Sequence, residues 1–200
     1  MKRIVLYAVL YLLHTAFVNA QTMQAYSVDI ATPGSFYALQ KQPLWCWAAC
    51  NQMVLNAVGI PETQEKQVLK LFGQLVNRGA GGNYELARMP LGGRYENEAG
   101  ETVNVRVYIS YGRFNDPLVI IDHLKKDIPL VMATKMHGRV CVGADYITDG
   151  RTCKITKVRL LDPAGPSEQV IEYTMQQFRD EGLIGFMTID LQPDYTTINK

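Results

Sequence analysis

Three features of the chain predict an α+β fold. Apolar residues recur at helical spacing through the first half. Apolar and polar residues alternate in strand-length runs through the second half. The two patterns are not interleaved as βαβ units, so a helix-rich half followed by an antiparallel sheet is expected.

Residues 1–20 stand apart from that pattern. Lys2 and Arg3 precede an apolar run from Ile4 to Val18, and Val18-Asn19-Ala20 ends on a small residue. This is the layout of a secretory signal peptide. The run is shorter than the roughly 20 residues a spanning helix needs, and no cysteine follows the expected cut to carry a lipid. Cleavage after Ala20 leaves Gln21–Lys200, a size for one domain. The mature chain has no second long apolar stretch. It is therefore expected to be soluble, secreted or periplasmic, and free of the membrane. Without Lys2 and Arg3 it has 18 basic and 19 acidic residues, a net of −1. A nucleic-acid partner, which needs a clustered basic surface, is not expected.

Met23 to Ile30 alternates loosely and predicts a leading strand, broken by Pro33-Gly34. Ala48, Ala49, Met53, Val54 and Ala57 predict a helix over Cys46–Val58, with Gly59 as its stop. Pro61-Glu62-Thr63 opens a second helix over about Gln64–Val76, striped by Val68, Leu69, Leu71, Phe72 and Leu75. Gly79 to Gly100 is glycine-rich and weakly periodic. It reads as a long loop of functional or mobile character, with one short helix near Glu85–Met89. Strand character begins at Val103–Tyr108. A short helix follows over Pro117–Lys126, then strands over Pro129–Thr134, Arg139–Ile147 and Thr152–Leu161. Thr148-Asp149-Gly150 is the hairpin turn between the last two. A short helix at Thr174–Asp180 and a strand at Ile184–Leu191 complete the chain. No internal repeat or low-complexity tract occurs.

The sharpest chemical signal is Trp45-Cys46-Trp47-Ala48-Ala49-Cys50 at the start of the first helix. The reactive form of cysteine is the thiolate, and a helix N-terminus favours that anion through its partial positive charge and unpaired N–H groups. Cys46 sits at that end, whereas Cys50 lies one turn inside and reads as a small core residue. The four cysteines, Cys46, Cys50, Cys141 and Cys153, also admit a two-disulfide reading with three connectivities. A free nucleophile leaves room for at most one bridge. In a tight hairpin Cys141 would face about Lys157 or Val158, and Cys153 about Asp145 or Tyr146, so no Cys141–Cys153 bridge is expected.

A cysteine nucleophile needs a base. Of three histidines, His14 lies in the signal segment and His123 in a charged, solvated helix; His137 lies at the mouth of a strand. Asp162 ends the next strand, and hairpin geometry brings it beside His137, where a carboxylate would fix the imidazole's tautomer. The plainer readings are a loop histidine and a turn aspartate before Pro163. Gln40, six residues before Cys46, could donate its amide to an oxyanion together with the Cys46 N–H. Gln42 is its competitor, and an ordinary surface glutamine is the plain alternative. A metal site using Cys46, Cys50 and His137 lacks the usual full ligand set. No metal or cofactor is expected.

Together, Gln40, Cys46-Trp47-Ala48 at a helix start, His137 and Asp162 resemble the papain-like cysteine peptidases in order and spacing. Gln40 to Ala49 most resembles the compact bacterial branch that includes the AvrRpt2-type (C70-like) effector peptidases, as do the strand Arg139–Gly143 and the Asp-Pro at Asp162. The resemblance implies a papain-like two-lobe fold, with a helical lobe over about 36–100, a sheet lobe over about 101–192 and a cleft between them. It implies a secreted cysteine peptidase acting on peptides or proteins through Cys46, His137, Asp162 and Gln40. An amidase, an acyltransferase or a silent binding module on the same scaffold is the alternative. Arg139 and Cys141 stand where small apolar residues are expected. Substrate specificity and oligomeric state are not legible.

Overall fold

The computed structural model describes residues 22–80, 84–112 and 117–193. The expected signal segment, with His14, lies outside these residues, as do Gly81 and Gly82 of the glycine-rich stretch. The elements in chain order are β1 (Gln24–Asp29), a 3-10 turn at Pro33–Phe36, α1 (Cys46–Ala57), α2 (Gln64–Phe72), α3 (Tyr84–Leu91), β2 (Gly93–Glu96) and β3 (Thr102–Tyr111). Then come α4 (Pro117–Leu124), β4 (Leu130–Thr134), β5 (Gly138–Thr148), β6 (Cys153–Leu161), β7 (Val170–Thr174), α5 (Met175–Asp180) and β8 (Leu183–Pro193). The strands form one antiparallel sheet in the order β2-β3-β8-β4-β5-β6-β7, with β1 laid along β5. The α+β class predicted from the two patterns is the class observed.

Helix α1 is the centre of the helical lobe. Ala48, Ala49, Cys50, Met53 and Leu55 are fully buried, and the small side chains on its face let it lie close against α2 and β5. Asn51 ties three helices together: its Nδ2 donates to Gln67 Oε1 at 3.1 Å and to the Ala87 carbonyl at 2.9 Å. Helix α2 opens on Thr63, whose side chain accepts from Lys66 N, and closes at Gly73 in the left-handed conformation, φ 71°. It is therefore shorter than the expected run to Val76. The glycine takes up the helix-ending conformation that a Cβ disfavours, and Gly73 N–H closes on Leu69 O at 2.8 Å.

The freed segment is pinned from the other side. Trp45 Nε1 donates to Val76 O at 2.8 Å, Trp47 Nε1 to Arg78 O at 3.1 Å, and Leu44 N to Asn77 Oδ1 at 3.0 Å. Both indoles are buried and each finds the partner its N–H requires. The two tryptophans flanking Cys46 thus carry the chain from Val76 to Arg78 along the start of α1.

Two strands differ from the sequence reading, β2 and β7. Both lie at the ends of the sheet. β2 is largely exposed and carries little pattern, whereas Ile171 and Tyr173 of β7 pack on the core and alternate with exposed Glu172 and Thr174, a strand signal that the sequence reading missed. The glycine-rich stretch contains the expected short helix, as α3, and also β2, where the sequence predicts loop. Their junction is held by Lys70, whose Nζ donates to Pro90 O at 2.9 Å and Gly92 O at 2.7 Å.

The β5–β6 hairpin also departs from the expected register. Its loop is Asp149–Thr152, closed by Thr148 against Cys153, so Cys141 faces Leu160 instead of Lys157 or Val158. Asp149 Oδ1 accepts from Arg151 N at 2.9 Å and Thr152 N at 2.7 Å. This side-chain turn widens the loop beyond the tight two-residue connection. Two register shifts, at Cys141/Gly143 and Asp145/Tyr146, add further bends. None of the four cysteines is joined in a disulfide among the described residues. His123, expected to be solvated, is half-buried: its Nδ1 lies 2.8 Å from Val119 O at the end of α4.

Candidate active site

Cys46 is the first residue of α1, and no acidic residue occupies the first turn. The positive end of the helix therefore acts on the sulfur without a competing carboxylate. Burial pushes the Cys46 thiol up. Hydrogen bonds from His137 and from the backbone N–H groups of Gly138 and Trp47, with the charge of His137, outweigh burial and hold the thiol below its ordinary value. Cys50, one turn further in, is fully buried. Its thiol is pushed well up by that burial, then by the charges of Cys46 and Asp162.

His137 reaches Cys46 from the turn between β4 and β5. Thr134 N–H donates to the His137 carbonyl at 2.9 Å, closing that turn. His137 Nε2 lies 2.6 Å from Asp162 Oδ1, which leaves Nδ1 as the ring nitrogen for the sulfur. Burial pushes the imidazole down, but its hydrogen bonds to Asp162 and Cys46 raise it to about 9. Thiol held down and imidazole held up describe a thiolate–imidazolium pair.

Asp162 sits at the end of β6. Burial would raise its carboxyl, but His137, the Ala164 N–H at 2.9 Å and Arg139 hold it well below the usual carboxylate range. The two carboxylate oxygens are divided between partners. Oδ1 takes His137 and Ala164 N–H, while Oδ2 takes Arg139 Nε at 2.9 Å. Arg139 Nη1 donates in turn to Glu181 at 2.6 Å, and its guanidinium lies 5.1 Å from the centre of the Tyr173 ring. The sequence reading flagged Arg139 only as out of place. Its position two residues past His137, on the same side of an extended chain, was the signal that it meets the same aspartate.

Gln40 lines the cleft beside Cys46, and exposed Gln42 does not. The Gln40 Nε2 donates to Pro43 O at 3.0 Å, while its Oε1 is buried with no hydrogen-bond partner. The carbonyl of Pro43 fixes which end of the amide is the donor. One N–H of Nε2 remains beyond that bond. The segment is joined to the aspartate's turn: Gln40 N–H donates to Pro163 O at 2.8 Å, and Tyr37 Oη bonds to Asp162 O at 3.2 Å and Gly165 O at 3.1 Å.

The cleft between the lobes has a volume of about 550 Å³ and contains Cys46 and His137. Its apolar walls include Trp47, Ala87, Val131, Ala133, Ile184 and Met187, and exposed Leu44 and Met136 lie at its edge. Among the described lining residues Lys135 is the one lysine or arginine, and none is acidic. Among the described residues no group of three or more His, Cys, Asp and Glu side chains could hold a metal ion.

No protein-family model matches the chain, and no curated protein matches it. Solved structures similar to it include the following two. One is a double-glycine-motif protease from an AMS/PCAT transporter in complex with its leader peptide, 17% identical over 78% of this chain and 89% of that one, with a TM-score of 0.44. The other is the peptidase domain of Streptococcus ComA, a bifunctional ABC transporter in a quorum-sensing pathway, 15% identical over 78% of this chain and 97% of that one, with a TM-score of 0.46.

Proposed function

We propose that the chain is an exported cysteine peptidase that hydrolyses peptide bonds, with Cys46 as nucleophile, His137 as acid and base, Asp162 as its orienting partner and Gln40 as an oxyanion donor. The observation that carries this reading is the line from Cys46, at the head of a helix with no acidic residue in its first turn, through His137 to Asp162.

The Cys46 thiolate attacks the carbonyl carbon, and the carbonyl oxygen becomes an oxyanion. Gln40 Nε2 and the Cys46 N–H donate to it; helix geometry leaves an N–H at that first position without an intrahelical acceptor. The C–N bond breaks as His137 gives its proton to the leaving nitrogen, leaving a thioester on Cys46. Neutral His137 then takes a proton from water, whose oxygen attacks the thioester. The acid product departs and the thiolate–imidazolium pair returns. The apolar cleft suits an extended peptide segment with apolar side chains, and the signal-peptide layout of residues 1–20 supports export.

A peptide library incubated with residues 21–200 tests the proposal. Cleavage by the wild type that is lost in Cys46→Ala is the expected result. An uncleaved library together with an unlabelled Cys46 would sink it. Amide release from non-peptide substrates by the same cysteine would move the reading to the amidase alternative.

A further inference from the structure

The residues around Gln40 are held by a buried side chain that the mechanism does not use. Gln64 is the first residue of α2 and is 1% exposed. Its Nε2 donates to Leu39 O at 2.9 Å, and its Oε1 accepts from Lys41 N at 2.8 Å. One amide therefore grips the backbone on both sides of Gln40, pairing as a neighbouring β-strand would. Gln52 Oε1, from α1, accepts the second Nε2 hydrogen at 3.1 Å. A side-chain amide with both ends engaged can remain in a dry interior; one left unpaired there is costly.

We infer that Gln64 is a positioning residue for the oxyanion donor: it sets the backbone of residues 39–41 so that the Gln40 amide faces Cys46. This rests on the reading of Gln40 given above. The remaining restraints on the segment do not replace it. Lys41 Nζ pairs with Glu65 at 2.8 Å, but both side chains are exposed, and such pairs hold geometry weakly. The bond from Gln40 N–H to Pro163 O fixes one point and leaves the chain free to turn about it. Gln64 supplies the second and third points, and through Gln52 it refers them to the helix that carries Cys46.

Two reactions at Cys46 separate this role from a general loss of structure. With p-nitrophenyl acetate the thiolate attacks the acyl carbon, passes through an oxyanion and expels p-nitrophenolate, leaving an acetyl thioester. With iodoacetamide the thiolate displaces iodide and no oxyanion forms. Both rates are measured for the wild type, Gln40→Ala, Gln64→Met, Gln64→Asn and the two double variants with Gln40→Ala. Gln64→Asn keeps a neutral amide but is one methylene short of spanning both backbone groups, so it serves if Gln64→Met folds poorly. The expected result is acylation slowed at least about tenfold in both Gln64 variants, with alkylation within about twofold of wild type. In the Gln40→Ala background neither Gln64 change slows acylation further, again within about twofold. Unchanged acylation in both Gln64 variants overturns the inference while a slow Gln40→Ala leaves the oxyanion reading intact. An equal Gln64 effect in the presence and absence of Gln40, or a parallel loss of alkylation, also overturns it. A Gln40→Ala variant that acylates as fast as wild type removes the oxyanion reading itself.

Discussion

On the proposed reading, the charge state of three side chains governs reactivity. The thiolate–imidazolium pair exists above the lowered value of Cys46 and below the value of about 9 at His137. Iodoacetamide labelling of Cys46 should therefore already proceed below the ordinary thiol value of 9.0, and turnover should fall as pH rises through about 9 and His137 loses its proton. A pH–rate profile with no alkaline limb would contradict the assignment. The same shift makes a stability statement. His137 is raised from 6.5 to about 9 in the folded chain. Its contribution is thus fully present below about 6.5 and is lost as pH rises through about 9. In His137→Ala the melting temperature should vary less over that window than in the wild type. Arg139 acts on the same group through Asp162. Arg139→Met frees one carboxylate oxygen, and the imidazole loses its fixed direction. Turnover should fall by up to about 10²-fold with KM little changed, and Arg139→Lys should recover only part, since an ammonium cannot reproduce the planar Nε–Nη1 fork. An equal loss in kcat from Arg139→Met in the wild type and in an Asp162→Ala background would show that Arg139 acts elsewhere.

Strand pairing sets where these groups meet. Gly185 in β8 faces Tyr111 in β3, and a Cβ there would overlap the Ser110 carbonyl. Backbone cannot move aside as a side chain does. Gly185→Ala should therefore destabilise the chain by about 1–3 kcal/mol, read as a lower denaturant midpoint at unchanged slope. Gly143 in β5 is under the same constraint from a different source, the Asp29–Arg159 ion pair that lies across it. The β5–β6 hairpin decides the cysteine chemistry. Cys141 faces Leu160 near one end, and Cys153 faces Thr148 at the other, too far apart for a bridge. Mass analysis should find no change on reduction. A thiol reagent should modify half-exposed Cys46 and Cys153 in the native chain and reach buried Cys50 and Cys141 only after unfolding. A native Cys141–Cys153 bridge would contradict the hairpin register.

The two lobes meet along few polar links. Tyr37 and Gln40, from the helical side, bond to the turn of residues 162–165 that closes β6. One short turn therefore presents Asp162 to His137 and holds the chain that carries Gln40. Tyr37→Phe removes the one hydroxyl hydrogen shared between the Asp162 and Gly165 carbonyls of that turn, at little change in shape. It should cost about 1 kcal/mol in stability and lower turnover without altering Cys46 alkylation. A variant as active and as stable as wild type would mean that the lobes are held by apolar packing alone. No helix among the described residues is long and apolar enough to cross a membrane.

The sequence by itself determined the class and the reactive helix. The period of 3.6 around Cys46 and the period of 2 from Val103 onward are properties of local chain geometry, and they survive in the fold. Gly73 and Thr63 end and begin α2 by backbone rules that are equally local. The sequence also named His137, Asp162 and Gln40 as candidates, because a nucleophile, a base and their helpers belong to few residue types. Tertiary structure decided the rest. β2 is a strand because β3 supplies its hydrogen bonds, and its largely exposed residues imprint no pattern; β7 carries a short alternation that takes its partner from β6. The β5–β6 register depended on the Asp149 turn and two bulges, each shifting partners without changing the alternation. Arg139 and Gln64 reveal nothing alone: a guanidinium on a strand and an amide at a helix start are common. Their partners, Asp162 and the backbone on either side of Gln40, lie 23 and 23–25 residues away. Contacts of that separation arise only once each lobe has folded.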